Sequence, residues 1–199
     1  MYPLYTNSAT EVDYEVAVAA LESGTVSVEE VDQEGTVPHL LVTNGGDSQV
    51  FFMEGEELVG GKQSRAVNTS VLAGSNSSIR IPVSCVEERR WHFGGSNRDS
   101  DAPSEEMVSE LNCFSPEVRL SLRESVSESL LRKQGHSSAQ GELWDEIKKE
   151  QDDLKVSSST RAMKDTYESY RARLEEFKAS LKYPGEAVGM VGVVDGEVV

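Results

Sequence analysis

The fold is decided by residues 62–88, KQSRAVNTSVLAGSNSSIRIPVSCVEE, which read as two strands joined by a turn centred on Ser75. Apolar and polar side chains alternate along both halves, which is the pattern of strands with one buried face. An antiparallel pairing around Ser75 brings apolar side chains and a threonine together on that face. The opposed pairs on this face are Val71 with Ile79, Thr69 with Ile81, and Val67 with Val83.

The same face of the predicted hairpin becomes polar toward its open end. Arg65 falls opposite Cys85, and Gln63 falls opposite Glu87. Charged groups at the rim of a core need a partner of opposite charge or a functional role such as ligand binding. Two interpretations stay open: an Arg65–Glu87 ion pair that fixes the register, or a ligand pocket beside the Gly60–Gly61 turn. Cys85 is either a nucleophile activated by Arg65 or, as its place in a regular alternation favours, a buried and inert thiol.

Side chains near this turn suggest the roles that a pocket would need. Lys62 and Arg65 would hold an anionic group. Gln63 and Asn68 would orient that group, while the ring of Trp91 would stack on the ligand. The candidate ligand-binding residues are therefore Lys62, Gln63, Arg65, Asn68, Arg90 and Trp91, and the candidates for a general base or a cation ligand are Glu57 and Glu87.

The glycine pair also gives the stretch a partial likeness to a phosphate-binding loop. That motif needs four residues between its glycines, then Lys and Ser or Thr, and then a helix. Here five residues separate Gly55 from Gly61, and Gln63 stands where the hydroxyl is needed. Glutamates inside the loop would repel phosphates, and the β-branched residues that follow are poor helix formers. The sequence therefore disfavours a nucleotide-binding loop of this type.

Composition narrows the classes of function. The formal net charge is −16, so the chain lacks the basic footprint of nucleic-acid-binding proteins and repels anionic membranes. No apolar run approaches the ~20 residues that a transmembrane helix needs, and the N-terminus lacks the features of a signal peptide. The two cysteines and the scattered histidines lack metal-binding spacing, so no metal site is predicted. We expect a cytoplasmic protein, and the sequence does not define a cofactor.

The predicted helices carry distinct signals. Asp13 is expected to cap a short first helix that ends at Gly24. Ser115 and Pro116 mark the start of the first long helix. Apolar residues of the last helix, residues 160–181, recur at alternating steps of four and three. This pattern is typical of helix-on-helix packing, either within the chain or in a homodimer or a complex with a protein partner.

Together these segments predict an α+β fold. We expect an antiparallel β-sandwich or partial barrel of short strands, with an inserted three-helix segment and a C-terminal β-hairpin. A single domain is expected over residues 1–199. Within it, residues 1–93 and 185–199 are expected to be mostly β, and residues 104–181 are expected to be a helical insertion.

The central stretch also resembles a known family. Shorter matches, among them LESGTVSVEEV, AQGELWDEI around Gln140 and Trp144, and the C-terminal VGMVGVVDGEVV, extend the likeness over nearly the whole chain. The family is the ADP-ribosylglycohydrolase- and rhodanese-phosphatase-associated protein domain, a domain of unknown function. The matching positions are Gly55–Glu56, Gly60–Gln63, Arg65, Asn68, Pro82–Glu87 and Arg90–Trp91.

The resemblance implies a role near NAD or ADP-ribose metabolism, through the domains with which the family is associated. It implies no reaction, so whether the protein is an enzyme stays open. We expect a domain that binds or processes an ADP-ribose/NAD-related or other phosphorylated small molecule, and thus an anionic ligand, at the pocket near Gly60–Gly61. The alternative is a non-catalytic protein-interaction module in which the Arg65–Glu87 cluster is structural. The last predicted strand stops at Val199, so we expect either that a short edge strand closes the fold or that the chain is a truncated form. The resemblance implies that family members usually continue past this hairpin.

Overall fold

The computed structural model describes residues 1–7, 13–31, 38–89, 107–181 and 184–198. These residues form an α+β structure, as the sequence predicts. They fall into two compact units. The larger unit spans Asp13–Ser169, and the smaller one combines Met1–Val12 with Tyr170–Val199. The single domain over residues 1–199 stays a prediction.

The secondary-structure elements are numbered along the chain. The strands are β1 (Tyr2–Leu4), β2 (Tyr14–Val16), β3 (Val26–Glu30), β4 (His39–Asn44), β5 (Gln49–Phe52), β6 (Glu56–Val59), β7 (Arg65–Val67), β8 (Val71–Ala73), β9 (Ser77–Cys85), β10 (Val108–Cys113), β11 (Gly189–Val191), β12 (Val193–Val194) and β13 (Glu197–Val198). The helices are α1 (Ala17–Glu22), α2 (Pro116–Leu131), α3 (Gln140–Leu154) and α4 (Met163–Ser180).

A six-stranded antiparallel sheet forms the frame of the larger unit, with the strand order β10–β6–β7–β9–β4–β3. This sheet is nearly closed, in agreement with the partial barrel that the sequence predicts. A smaller sheet has the order β2–β5–β8, in which β2 runs parallel to β5 and β5 runs antiparallel to β8. The short strands and tight turns of the N-terminal half therefore build two sheets.

The predicted register of the central hairpin is confirmed where its two strands meet. β7 pairs with β9 so that Arg65 lies opposite Cys85 and Val67 lies opposite Val83. The predicted pairing of Val71 with Ile79 is wrong, because Val71–Ala73 leave β9 and pair with β5. The polar residues between β7 and β8 break the strand, and β8 then joins the sheet that contains the fully buried Phe52.

Two apolar cores lie on opposite faces of β7. Val67 belongs to a core built by the strands and α1, whereas its neighbour Ala66 belongs to a core built mainly by α2, α3 and the start of α4. Successive side chains of a strand point to opposite faces. Arg65 therefore shares the strand-side face with Val67, and Ala66 shares the helix-side face with Val86.

Two predicted helix boundaries need correction. The first helix begins at Ala17 rather than at Asp13, because Tyr14–Val16 pair with β5 as a strand. The helical segment begins at Pro116 rather than near residue 104, because Val108–Cys113 pair with β6. The predicted start of α2 itself is confirmed, since the Ser115 hydroxyl accepts a hydrogen bond from the Val118 amide.

The smaller unit contains the C-terminal strands. β1 pairs antiparallel with β11. β12 and β13 form the predicted C-terminal hairpin, and Asp195 and Gly196 in its turn both have positive φ, as a type I′ turn requires. Within the described residues, none of the helices combines the length and apolarity that crossing a membrane requires.

Candidate functional site

Arg65 is the largest side chain that is completely buried in the described structure. Its Nη1 donates hydrogen bonds to the Gln63 carbonyl oxygen at 3.0 Å and to Gln63 Oε1 at 3.3 Å. Its Nη2 lies 3.7 Å from Glu30 Oε1. A guanidinium in the interior needs such partners, because burying an uncompensated charge is costly.

Glu30 is the residue of this cluster that the sequence did not reveal. It ends β3, and its Oε1 accepts a hydrogen bond of 3.3 Å from the Lys62 amide in addition to contacting Arg65. The close approach depends on Gly61, which has a φ of +57°. A Cβ added at Gly61 would lie 3.3 Å from Glu30 Oε1. The glycine therefore lets the turn close against the carboxylate.

Gln63 and Glu87 complete the cluster, as the predicted register requires. Gln63 Nε2 donates to the Glu87 carbonyl oxygen at 2.8 Å. Glu87 Oε2 accepts from the Ser64 amide at 3.3 Å, and Glu87 is almost entirely buried. The structure thus brings Gln63, Arg65 and Glu87 together beside the Lys62 backbone. We call Glu30, Lys62, Gln63, Arg65 and Glu87 the sheet-end cluster.

Two other predicted site residues lie elsewhere. Glu57 is paired with Ala66 across β6 and β7, which puts it on the helix-side face, and its Oε2 accepts from Asn112 Nδ2 at 2.8 Å. Asn68 also makes its contacts on that side, where its Oδ1 accepts from the Ser84 hydroxyl at 2.6 Å and its Nδ2 donates to the His136 carbonyl at 2.9 Å.

The structure therefore does not bring Glu57 and Asn68 to Arg65. Asn68 lies apart from Arg65 because the alternation of faces, extended one residue past β7, puts it on the face of Ala66. The predicted candidates Arg90 and Trp91 lie outside the described residues.

The first part of α3 contacts the end of β9, next to the sheet-end cluster. Gln140 accepts a hydrogen bond from the Cys85 amide through Oε1 and donates to the Cys85 carbonyl through Nε2, both at 2.8 Å. Trp144 Nε1 donates to the same carbonyl at 3.1 Å. The Gln140 side chain thus pairs with Cys85 as a neighbouring strand would. The sequence offered no signal for this contact beyond the likeness of the segment around Gln140 and Trp144 to the family.

The chemistry of Cys85 follows from its burial. Burial raises the pKa of the Cys85 thiol, and this effect exceeds the opposing influence of the Arg65 guanidinium. The residue is therefore a thiol rather than a thiolate at neutral pH, which agrees with an inert role more than with a nucleophile.

We predict that Gln140→Ala lowers the free energy of unfolding by about 1–3 kcal/mol, because it leaves the Cys85 amide without its acceptor. The measurement is urea-induced unfolding followed by circular dichroism. Gln134→Ala serves as the control, since Gln134 is exposed, and it should change stability by no more than about 0.5 kcal/mol. Equal effects of the two substitutions would contradict the proposed importance of this contact.

The charges of the sheet-end cluster are balanced. Lys62 and Arg65 supply two positive charges, and Glu30 and Glu87 supply two carboxylates. Gly61, Lys62 and Glu30 are only partly buried, whereas Gln63, Arg65 and Glu87 are buried. Such an arrangement can accept hydroxyl donors through the carboxylates and anionic groups through the cations. Among the described residues, no group of three or more His, Cys, Asp or Glu side chains is placed to hold a metal ion.

Comparison with known protein families identifies a match over the whole chain. The ARG and Rhodanese-Phosphatase-superfamily-associated Protein domain matches residues 1–199, which is the whole chain, and the resemblance seen in the sequence is thereby confirmed. No curated protein matches, and no solved structure matches.

Proposed function

This chain belongs to the ARG and Rhodanese-Phosphatase-superfamily-associated Protein domain family, and from that premise we propose that its sheet-end cluster binds a small polar molecule. The ligand class is an ADP-ribose/NAD-related or other phosphorylated small molecule. The observation that carries the proposal is that Glu30 Oε1 lies 3.7 Å from Nη2 of the completely buried Arg65 and also accepts a hydrogen bond from the amide of the partly buried Lys62.

Burying the charged groups of the sheet-end cluster has an energetic cost. A buried ion pair stabilises a fold no better than well-packed apolar side chains of similar volume. Buried charges at the end of a sheet therefore favour a functional role over a purely structural one. A ligand would reach the cluster at the partly buried Gly61 and Lys62, with Lys62 meeting a phosphate and Glu30 accepting hydrogen bonds from ribose hydroxyls.

The same proposal ranks the two candidates for a general base. Glu87 lies in the sheet-end cluster and is bonded to the Ser64 amide. Glu57 is fully buried on the helix-side face and is bonded to Asn112. If the site performs catalysis, Glu87 is the better candidate, because it shares the sheet-end cluster with Lys62 whereas Glu57 lies on the helix-side face.

A thermal-shift screen with ADP-ribose, NAD, nucleotides, Mg²⁺ and Ca²⁺ tests the proposal. We predict that at least one of the phosphorylated compounds raises the melting temperature by about 2–4 °C at a concentration near five times its Kd. Lys62→Ala should abolish the increase, because it removes the ammonium group that would meet the phosphate. Lys149→Ala, which removes an exposed lysine of α3, is the matched control and should keep the response.

If no compound shifts the melting temperature of the wild type, or if Lys62→Ala responds fully, the binding proposal is wrong. The second candidate function, a non-catalytic protein-interaction module, would then be favoured. One observation supports it: the Arg65 contacts to Gln63 and Glu30 lie inside the fold, as a structural clamp would require. Its interaction surface would be the second half of α4, where Phe177 is 52 % exposed. Analytical ultracentrifugation would detect a homodimer formed there.

A further inference from the structure

A cavity lies on the helix side of the larger unit, away from the sheet-end cluster. Its volume is about 390 Å³, within the range of small-molecule sites. Residues of α2, the following loop and the first turn of α3 line it, and all the described lining residues except Ala139 are polar. A cavity with such walls is suited to a ligand that carries many hydrogen-bond donors.

The wall of this cavity contains a buried hydroxyl group, that of Ser129. The residue lines the cavity and is only 8 % exposed. Its hydroxyl has no hydrogen-bond partner within the described part of the chain. Buried polar groups in folded proteins are generally satisfied, so an unmet hydroxyl at a cavity wall indicates a group that a ligand would satisfy.

The charge of the lining selects the class of ligand. Glu124, Glu128 and Glu142 supply three carboxylates, whereas Arg132 supplies the one cation among the described lining residues. Arg132 Nη2 donates to Glu128 Oε2 at 3.0 Å, so these two charges compensate each other. The remaining carboxylates favour a cation, and the part of the chain that the structure describes has no cluster suited to a metal ion. An organic cation is therefore the better fit.

Asn68 and Ser84, two residues of the family pattern, are connected to the cavity wall by hydrogen bonds. The hydroxyl of Ser138, which lines the cavity, is hydrogen-bonded to the Ser84 hydroxyl. Ser84 in turn donates to Asn68 Oδ1 at 2.6 Å. Asn68 Nδ2 also donates a hydrogen bond of 2.9 Å to the carbonyl oxygen of His136, which lies in the loop that forms part of the cavity wall. Asn68 and Ser84 thus hold the cavity wall in place rather than the sheet-end cluster.

From these observations we propose that the cavity between α2 and the start of α3 binds a small aliphatic polyamine. The ammonium groups of the ligand are held by Glu124 and Glu142, and the Ser129 hydroxyl accepts a further N–H. This site shares no residue with the sheet-end cluster, and either proposal can fail without the other.

Spermidine is the probe that tests the site. At about five times its Kd, spermidine should raise the melting temperature of the wild type by about 2–4 °C. The double variant E124Q/E142Q should bind spermidine at least about tenfold more weakly in isothermal titration calorimetry, because both charge-assisted hydrogen bonds become neutral. Ser129→Ala should also weaken binding while leaving the melting temperature of the free protein unchanged or higher.

Non-specific attraction to an acidic protein is the main competing explanation, and two controls separate it. E117Q/E146Q removes the same charge from α2 and α3 at positions that do not line the cavity, and it should bind as the wild type does. Mg²⁺ at matched ionic strength should produce no comparable increase. Equal loss of binding in both double variants, an equal response to Mg²⁺, or no response of the wild type would each overturn the proposal.

Discussion

Replacing Arg65 by alanine is expected to lower the free energy of unfolding by about 3–5 kcal/mol, since removing one partner of a buried ion pair leaves the other uncompensated. Arg65 is 0 % exposed, and the Glu30 side chain that faces it is 9 % exposed. The substitution also removes the donor that satisfies the Gln63 carbonyl oxygen at 3.0 Å. Urea-induced unfolding of both proteins measures the difference.

Arg123→Ala is the matched control for this prediction. Arg123 also forms an ion pair with a glutamate, but its side chain is 59 % exposed. Solvent-exposed pairs contribute about 0–1 kcal/mol, so this variant should remain close to the wild type. If Arg65→Ala were as mild as Arg123→Ala, the cluster would not hold the sheet end together. Arg65→Met combined with Glu30→Gln removes both charges, and it should recover part of the loss.

Leu122→Ala is expected to lower the free energy of unfolding by about 2–5 kcal/mol, the range for a large-to-small substitution in a core. Leu122 is 2 % exposed and packs with helix residues and with Ala66 and Val86 of the sheet side. Because this core joins α2 to the sheet, the larger unit should still unfold in one transition at a lower urea concentration. Circular dichroism and tryptophan fluorescence should report the same midpoint.

The same helix provides the control. Leu131 lies on α2 and is 85 % exposed, so Leu131→Ala removes the same atoms without opening a cavity. Its effect should stay within about 0.5 kcal/mol. A second transition in Leu122→Ala, with the helices melting before the strands, would show that the helices are not integral to the larger unit.

Part of the candidate site was predictable because it depends on local alternation. The pattern of residues 62–88 predicts that Arg65 faces Cys85 and that Gln63 meets Glu87. The same alternation, extended one residue past β7, puts Asn68 on the face of Ala66 rather than on the face of Arg65. Asn68 accordingly lies with Ser84 and Ser138 instead of with Arg65.

The partners contributed from distant parts of the chain were not predictable. Glu30 reaches Lys62 across 32 positions of sequence, and Gln140 reaches Cys85 across 55. Each lies in a segment whose own pattern is ordinary, a strand end or a helix start. No local signal distinguishes these residues from other polar residues at the ends of secondary-structure elements.

The sequence by itself determined the α+β class, the strand register at Arg65 and Val67, the start of α2 and the C-terminal hairpin. These features follow from side-chain periodicity, from helix-capping residues and from turns that need positive φ, all of which act over a few neighbouring residues. Only the tertiary structure decided that Glu30 pairs with Arg65, that Gln140 bonds to the end of β9, and that Glu57 lies on the helix-side face. Those contacts depend on which elements pack together, and packing is a property of the whole chain.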